Sequence, residues 1–230
     1  MAIVTLSGQI GTNAREVGRL AAERLGIDYV DQEILVEAAR DLGVPMESIV
    51  THDERTEGLG ERLAHMLRHF LERSAAAGAA DPMLGGAGGL DVMLSRSYAE
   101  AAADDEDVSD DEYIQALANI VQDIAEHDNV LIIGRGSQVV LRDHPNATHV
   151  LLVGPEELRV ANVAQRDGIS TEEAERILQS QGKGRVSFHE KFFKINVDEP
   201  SYYHLTLNVG RLTQDQMASI IASTAQIPNA

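Results

Sequence analysis

The chain has 230 residues, 43% of them hydrophobic, with no cysteine and 19 Lys and Arg against 37 Asp and Glu, a net charge of −18 at pH 7. That length and apolar content can fill one core, while the missing cysteine excludes disulfides, thiolate zinc sites and a cysteine nucleophile. The negative charge disfavours nucleic acid backbones and anionic membranes as general partners. There is no run of about 18 apolar residues and no charged, apolar leader at the N-terminus, so a cytoplasmic location is expected.

Ile3, Val4 and Leu6 form a short apolar run that enters a turn at Gly8, which predicts a buried strand over Ala2 to Leu6. From Ala14 to Leu25, Val17, Leu20, Ala21 and Leu25 recur at helical spacing and Gly26 stands where a C-cap glycine belongs. Ile27 to Val30 is a second strand candidate, and Gln32 to Leu42 a helix stopped by Gly43 and Pro45. Leu59, Leu63, Met66, Leu67, Phe70 and Leu71 make an amphipathic stripe. Residues Ala75 to Asp111 then read as a mobile insert, first Ala/Gly-rich and then acidic, because backbone entropy and self-repulsion both oppose order.

Tyr113, Leu117, Ile120, Val121 and Ile124 mark another helix, and Val130 to Ile133 a continuous apolar strand ending at Gly134. Val150 to Val153 is a similar strand, closed by Gly154 and Pro155. Continuous apolar strands suggest a parallel sheet buried on both faces. Two helices should follow, the second opened by a Ser170-x-x-Glu173 capping box, then a strand over Leu205 to Leu207 and a helix over Thr213 to Ala222 with a Thr213-x-x-Gln216 cap. Strands alternating with helices predict an α/β, three-layer, doubly wound parallel sheet in a single domain spanning residues 1–230.

A strand, a glycine turn and a helix in that order form the setting of the phosphate-loop motif G-x-x-x-x-G-K-[ST], where backbone N–H groups and a helix N-terminus cradle phosphate oxygens. Gly8 takes the first glycine position, followed by Gln9, Ile10, Gly11 and Thr12. Asn13 stands in the second glycine position, Ala14 in the lysine position and Arg15 in the Ser/Thr position. An ordinary strand-to-helix turn, relaxed by Gly8 and Gly11, is the competing explanation.

The segments SGQIGTNAREVGRLAAERLGIDYVDQEIL, LIIGRGSQVVLRDHPNATHVLLV and YYHLTLNVGRL, in this order, resemble the cytidylate kinase-like family of P-loop proteins. The resemblance implies a P-loop NTPase-type fold and transfer of the terminal phosphoryl group of ATP to a nucleoside monophosphate with Mg²⁺ present. The family loop is close to G-S-G-G-R-E, which Arg15 and Glu16 match and Asn13 and Ala14 do not. Residues 8–15 would then bind ATP. Arg135, in Gly134-Arg135-Gly136 after the third strand, would hold the acceptor phosphate. Lys183 and Arg185, in the basic segment 181–194, resemble the lid of these kinases, with Gly182 where the pattern has aspartate. Arg15, Arg135, Lys183 and Arg185 are thus the candidate catalytic cations.

Asp31, at the end of the second strand, is a candidate contact for the acceptor's base or sugar, with helix N-capping as the simpler alternative. Arg159 and Arg166, seven apart on one helix, are weaker candidates for the same pocket. No metal ligand stands out: Thr12 and Ser7 are the hydroxyls at hand, the alternative being an ion held mainly by ATP phosphates and water. His65 and His69 have i, i+4 spacing without a third ligand, and neither His189 nor His204 has a visible acid or base partner. The implied partners are nucleotides, and a homo-oligomer is compatible with the sequence. A nucleotide binder without turnover and an interaction protein with an empty pocket are the rival readings.

Overall fold

The computed structural model describes residues 2–31, 110–126 and 129–227. The expected helices at 32–42 and 59–71, the histidine pair at 65 and 69, and all but the last two residues of the insert lie outside these. Strand β1 (Ile3–Gly8) leads through the loop 9–13 into helix α1 (Ala14–Leu25) and strand β2 (Asp28–Val30). Helix α2 (Asp110–Ala125), strand β3 (Val130–Ile133) and the one-turn helix α3 (Ser137–Val140) follow. Strand β4 (Ala147–Val153), helices α4 (Glu156–Asp167) and α5 (Thr171–Phe193), strand β5 (Leu205–Asn208) and helix α6 (Gln214–Thr224) complete the order.

The five strands are all parallel, in the order β2-β3-β1-β4-β5. Central β1 is almost wholly dry: Ile3, Val4 and Leu6 do not alternate with exposed residues, and the polar Thr5 and Ser7 are buried with them. Val4 and Leu6 pack with Leu131, Val150 and Leu152 against Val17 and Ala21 of α1 and Met217, Ala218 and Ile221 of α6. Ile3, Ile132 and Leu151, which alternate with these, are as deeply buried, so both faces of the sheet are covered. Each such fully buried side chain contributes about 1.5–3 kcal/mol.

Helix α1 begins and ends where its periodicity places it, with Gly26 left-handed at the C-cap. Thr213 forms the full capping box with Gln216 at the start of α6, and Ser170 accepts from the Glu173 N–H at the start of α5. One strand differs from expectation. Strand β4 starts at Ala147 rather than Val150, because His149 and Thr148 are buried there and the His149 ring meets the Thr5 hydroxyl of β1 at 2.8 Å. The segment 181–194 is the second half of one 23-residue helix, α5, capped by left-handed Lys194. Among the described residues, no helix is long and apolar enough to cross a membrane.

Candidate functional site

In parallel sheets of this kind ligands sit beyond the carboxyl ends of the strands. Here the ends of β1, β2 and β3 are respectively followed by the loop at 9–13, by Asp31 and by the turn Gly134-Arg135-Gly136. The carbonyls of the loop are engaged partly within it and partly by α4. Gln9 O accepts from the Thr12 N–H at 3.1 Å and the Thr12 hydroxyl at 2.7 Å. Ile10 O accepts from Arg159 at 3.2 Å, and Gly11 O from Asn162 at 2.8 Å, both on α4. The Gln9 side chain in turn accepts from the Gly154 N–H at 3.3 Å. With Gln9 O engaged by Thr12 and Ile10 O and Gly11 O turned toward α4, the loop leads into an α1 N-terminus whose N-cap makes no side-chain capping bond. That arrangement suits an anion.

Asn13 adopts φ 55°, the left-handed region that asparagine tolerates better than most residues, so its presence at a glycine position leaves the turn intact. Gly11 admits no such replacement. Its φ is +84°, and a Cβ there would stand 2.4 Å from the carbonyl oxygen of Arg159. Gly11→Ala should therefore lower stability by about 1–3 kcal/mol through strain and displacement of α4. Urea unfolding read by circular dichroism measures the loss, and a change below about 0.5 kcal/mol, the size of an ordinary surface substitution, would contradict the close contact.

Arg135 is the middle of three consecutive left-handed residues, Gly134, Arg135 and Gly136, at φ 73°, 57° and 69°. The turn is tied to β1 by the Gly134 N–H donating to Leu6 O at 3.0 Å, and Arg135 is buried. A Cβ on Gly136 would meet the ring of Phe193 at 2.3 Å, which brings the end of α5 against this turn.

Arg185, on α5, is also buried. It donates to the Asp198 carboxylate at 2.8 Å and to the Ser7 hydroxyl at 3.1 Å, one residue before Gly8. The basic segment therefore contributes one cation to the strand ends, while Lys183, two residues earlier, is exposed. His189, one turn on, is a core residue: its ring nitrogen bonds the Arg185 carbonyl at 2.8 Å and burial lowers its pKa to about 4.

Arg15 lies 3.8 Å from the Asp31 carboxylate, and Asp31, 1% exposed, also accepts from the Tyr29 hydroxyl at 2.9 Å. Burial and the Asp31 carboxylate push the Tyr29 phenol well above its usual range. Arg159 donates to the Ile10 carbonyl of the loop and the Gly154 carbonyl after β4, while Arg166 pairs with Asp167 beside it. The structure thus brings residues 8–15, Asp31 and the Arg135 turn to the carboxyl ends of β1, β2 and β3, ties Arg185 to the end of β1, and leaves Lys183 exposed and Arg166 paired with its neighbour. Asp198 and Asn162 escaped sequence reasoning. A single acid 13 residues beyond its arginine and a single helical amide carry no periodic signature.

A parallel α/β sheet whose first strand runs through this loop into a helix defines a kinase-like phosphate-loop protein. The chain belongs to the cytidylate kinase-like family, whose model matches residues 3–211. It is 29% identical over 108 residues to a cytidylate kinase of Methanopyrus kandleri, the match covering 44% of this chain and 56% of the relative. It is 26% identical over 115 residues to a cytidylate kinase of Natronomonas pharaonis, covering 50% and 59%. The matched region thus spans little more than half the length of these curated relatives. The fold is similar to that of an uncharacterized protein from Eubacterium ventriosum, with a TM-score of 0.62, 14% identity and 98% coverage of both chains.

Proposed function

We propose that this chain binds ATP at residues 8–15 and transfers its terminal phosphoryl group to a nucleoside monophosphate. The observation that carries this reading is the loop itself, with its carbonyls held away by Arg159, Asn162 and Thr12 and an uncapped helix N-terminus behind it. Phosphoryl transfer needs positioning and positive charge more than covalent chemistry from the protein. The loop N–H groups and the start of α1 would hold the donor phosphates. Arg135 would hold the acceptor phosphate, since its turn leaves a different strand. Arg185, bonded to Ser7, would fix the end of β1 and add charge as α5 covers the site and excludes water.

ATP supplies the phosphoryl group, and the family implies Mg²⁺ with it. The α1 N-terminus, whose N-cap makes no side-chain bond, suits the phosphates of such a nucleotide. A protein-held metal ion does not fit the donors beside it. Arg15 fills the Ser/Thr position, the Ser7 oxygen accepts from the Arg185 cation, and the Thr12 hydroxyl donates to Gln9 O. Among the described residues, no three His, Asp or Glu side chains are grouped to hold an ion. The roles above accordingly rest on the chain's own cations. Asp31, turned into the protein toward Tyr29 and Arg15, serves the loop more directly than an acceptor sugar.

The rival reading is a nucleotide binder without turnover, favoured by the pairing of both Arg15 and Arg185 with carboxylates. Thermal unfolding with ATP and with each common monophosphate, followed by assay of ADP release, separates the two. Stabilisation with release supports the kinase; stabilisation without release selects the silent binder. Arg135→Ala should weaken monophosphate binding by about 1.5–3 kcal/mol, the worth of a charge-assisted contact, and leave ATP affinity within about threefold. Equal losses for both ligands would remove Arg135 from the acceptor side.

A further inference from the structure

In phosphate loops that hold magnesium, the ion bridges the nucleotide's phosphates to the loop's Ser/Thr hydroxyl, with an aspartate at a neighbouring strand end completing its shell. In this chain the hydroxyl position carries Arg15, and the acid that meets this position, Asp31 at the end of β2 on the far side of β3, is already paired with it at 3.8 Å. The guanidinium is permanently protonated, half exposed, and stands in the first turn of α1 beside the cradle. The other hydroxyl at the end of β1, Ser7, is 4% exposed and bonded to a second guanidinium, Arg185. A divalent ion placed here would meet two fixed positive charges and an oxygen already engaged by one of them.

We infer that Arg15 takes the place of the metal ion, so that this loop binds a nucleoside triphosphate as the free tetra-anion, without a requirement for Mg²⁺. The inference rests on the nucleotide reading of residues 8–15. The arginine supplies the positive charge between the Asp31 carboxylate and the phosphates that a magnesium ion supplies elsewhere, and its planar fork suits phosphate oxygens. It cannot be chelated away.

The test is isothermal titration of the full chain with ATP, once in excess EDTA and once in excess Mg²⁺, for the wild type, Arg15→Lys and Arg15→Thr. Circular dichroism and thermal unfolding establish that each variant folds, and the exposed position of Arg15 makes both variants tolerable. Wild-type affinity should differ by less than about threefold between the two conditions, and Arg15→Lys, which keeps the charge, should behave alike. Arg15→Thr restores a hydroxyl and removes the guanidinium beside Asp31, so its affinity should become at least about tenfold stronger with Mg²⁺ than with EDTA. Should Arg15→Thr fail to fold, Arg15→Ala takes its place and should lose at least about tenfold in EDTA.

Wild-type binding at least about tenfold weaker in EDTA would overturn the inference and leave the nucleotide site standing. The same independence of Mg²⁺ in Arg15→Thr as in the wild type would overturn the assignment to Arg15. Absence of ATP binding in both conditions would overturn the nucleotide reading, and the metal inference with it.

Discussion

Replacing Arg185 by methionine should lower the stability of the protein by about 3 kcal/mol and weaken ATP binding at the same time. The side chain is 5% exposed and makes two hydrogen bonds, one to a carboxylate and one to the hydroxyl next to the loop. Methionine preserves the apolar stem and removes the charge. What is left behind decides the size of the effect. Asp198 is 33% exposed and can take up water, which keeps the cost near the lower end of the range for broken buried pairs. Ser7 is dry, and its oxygen loses a donor. Urea denaturation gives the stability term, and titration with ATP at a temperature where the variant is folded gives the binding term. Unchanged ATP affinity in the folded variant would show that the contact with Ser7 does not shape the loop, and a stability change below about 1 kcal/mol would contradict the burial of the pair.

Acidification should unfold the protein earlier than its carboxylates alone predict. His149 and His189 are 3% and 1% exposed. Burial and then the neighbouring His204 lower the His149 ring from 6.5 to about 4, against a smaller upward pull from the Leu141 and Arg142 carbonyls. Burial likewise lowers His189 to about 4, with the Arg185 cation adding to the drop and the Arg185 carbonyl and Asp198 opposing it. In the unfolded chain both rings accept a proton near pH 6.5, whereas the folded protein accepts it only near pH 4. Between those values the unfolded state binds more protons, so stability is full above pH 6.5 and falls as the pH drops toward 4. Each ring accounts for about 3 kcal/mol, and together they rival the whole stability of an ordinary domain. The free energy of unfolding, measured across pH 4 to 7 for the wild type and for the double variant His149→Gln with His189→Gln, isolates their share. Parallel curves for the two proteins would show that neither ring resists protonation.

The parts of this fold that were legible in the sequence are those where burial and period coincide. Helix α1 is readable to the residue because Val17 and Ala21 face the core and Gly26 closes the last turn. Strand β3 is readable because all four residues are apolar. Strand β4 was read short because its first turn toward β1 is dry but polar: Thr148 and His149 are buried through a bond across strands that no period announces. The length of α5 was not legible, because the segment 181–194 was read by its basic charge and its resemblance to a lid rather than by a helical period. Tertiary contacts at Arg185, Phe188 and Phe193 carry the helix through that segment. The candidate site divides in the same way. Its loop and its arginines could be found by type and position, but Asp198, Asn162 and the pairing of Arg15 with Asp31 depend on how distant segments meet.

The position of β1 at the middle of the sheet bears on how the chain is made. Ala2 meets Asn129 across 127 residues, and Thr5 meets His149 across 144. The strand that carries the phosphate loop is made before either of its partners, β3 and β4, and helix α1, strand β2 and helix α2 all come between. Parallel pairings of such long range form slowly and leave apolar edges exposed meanwhile. During synthesis, Ile3, Val4 and Leu6 must therefore wait in the open, and chaperone binding to the nascent β1 segment should persist until translation has passed Val153 and β4 can close over β1.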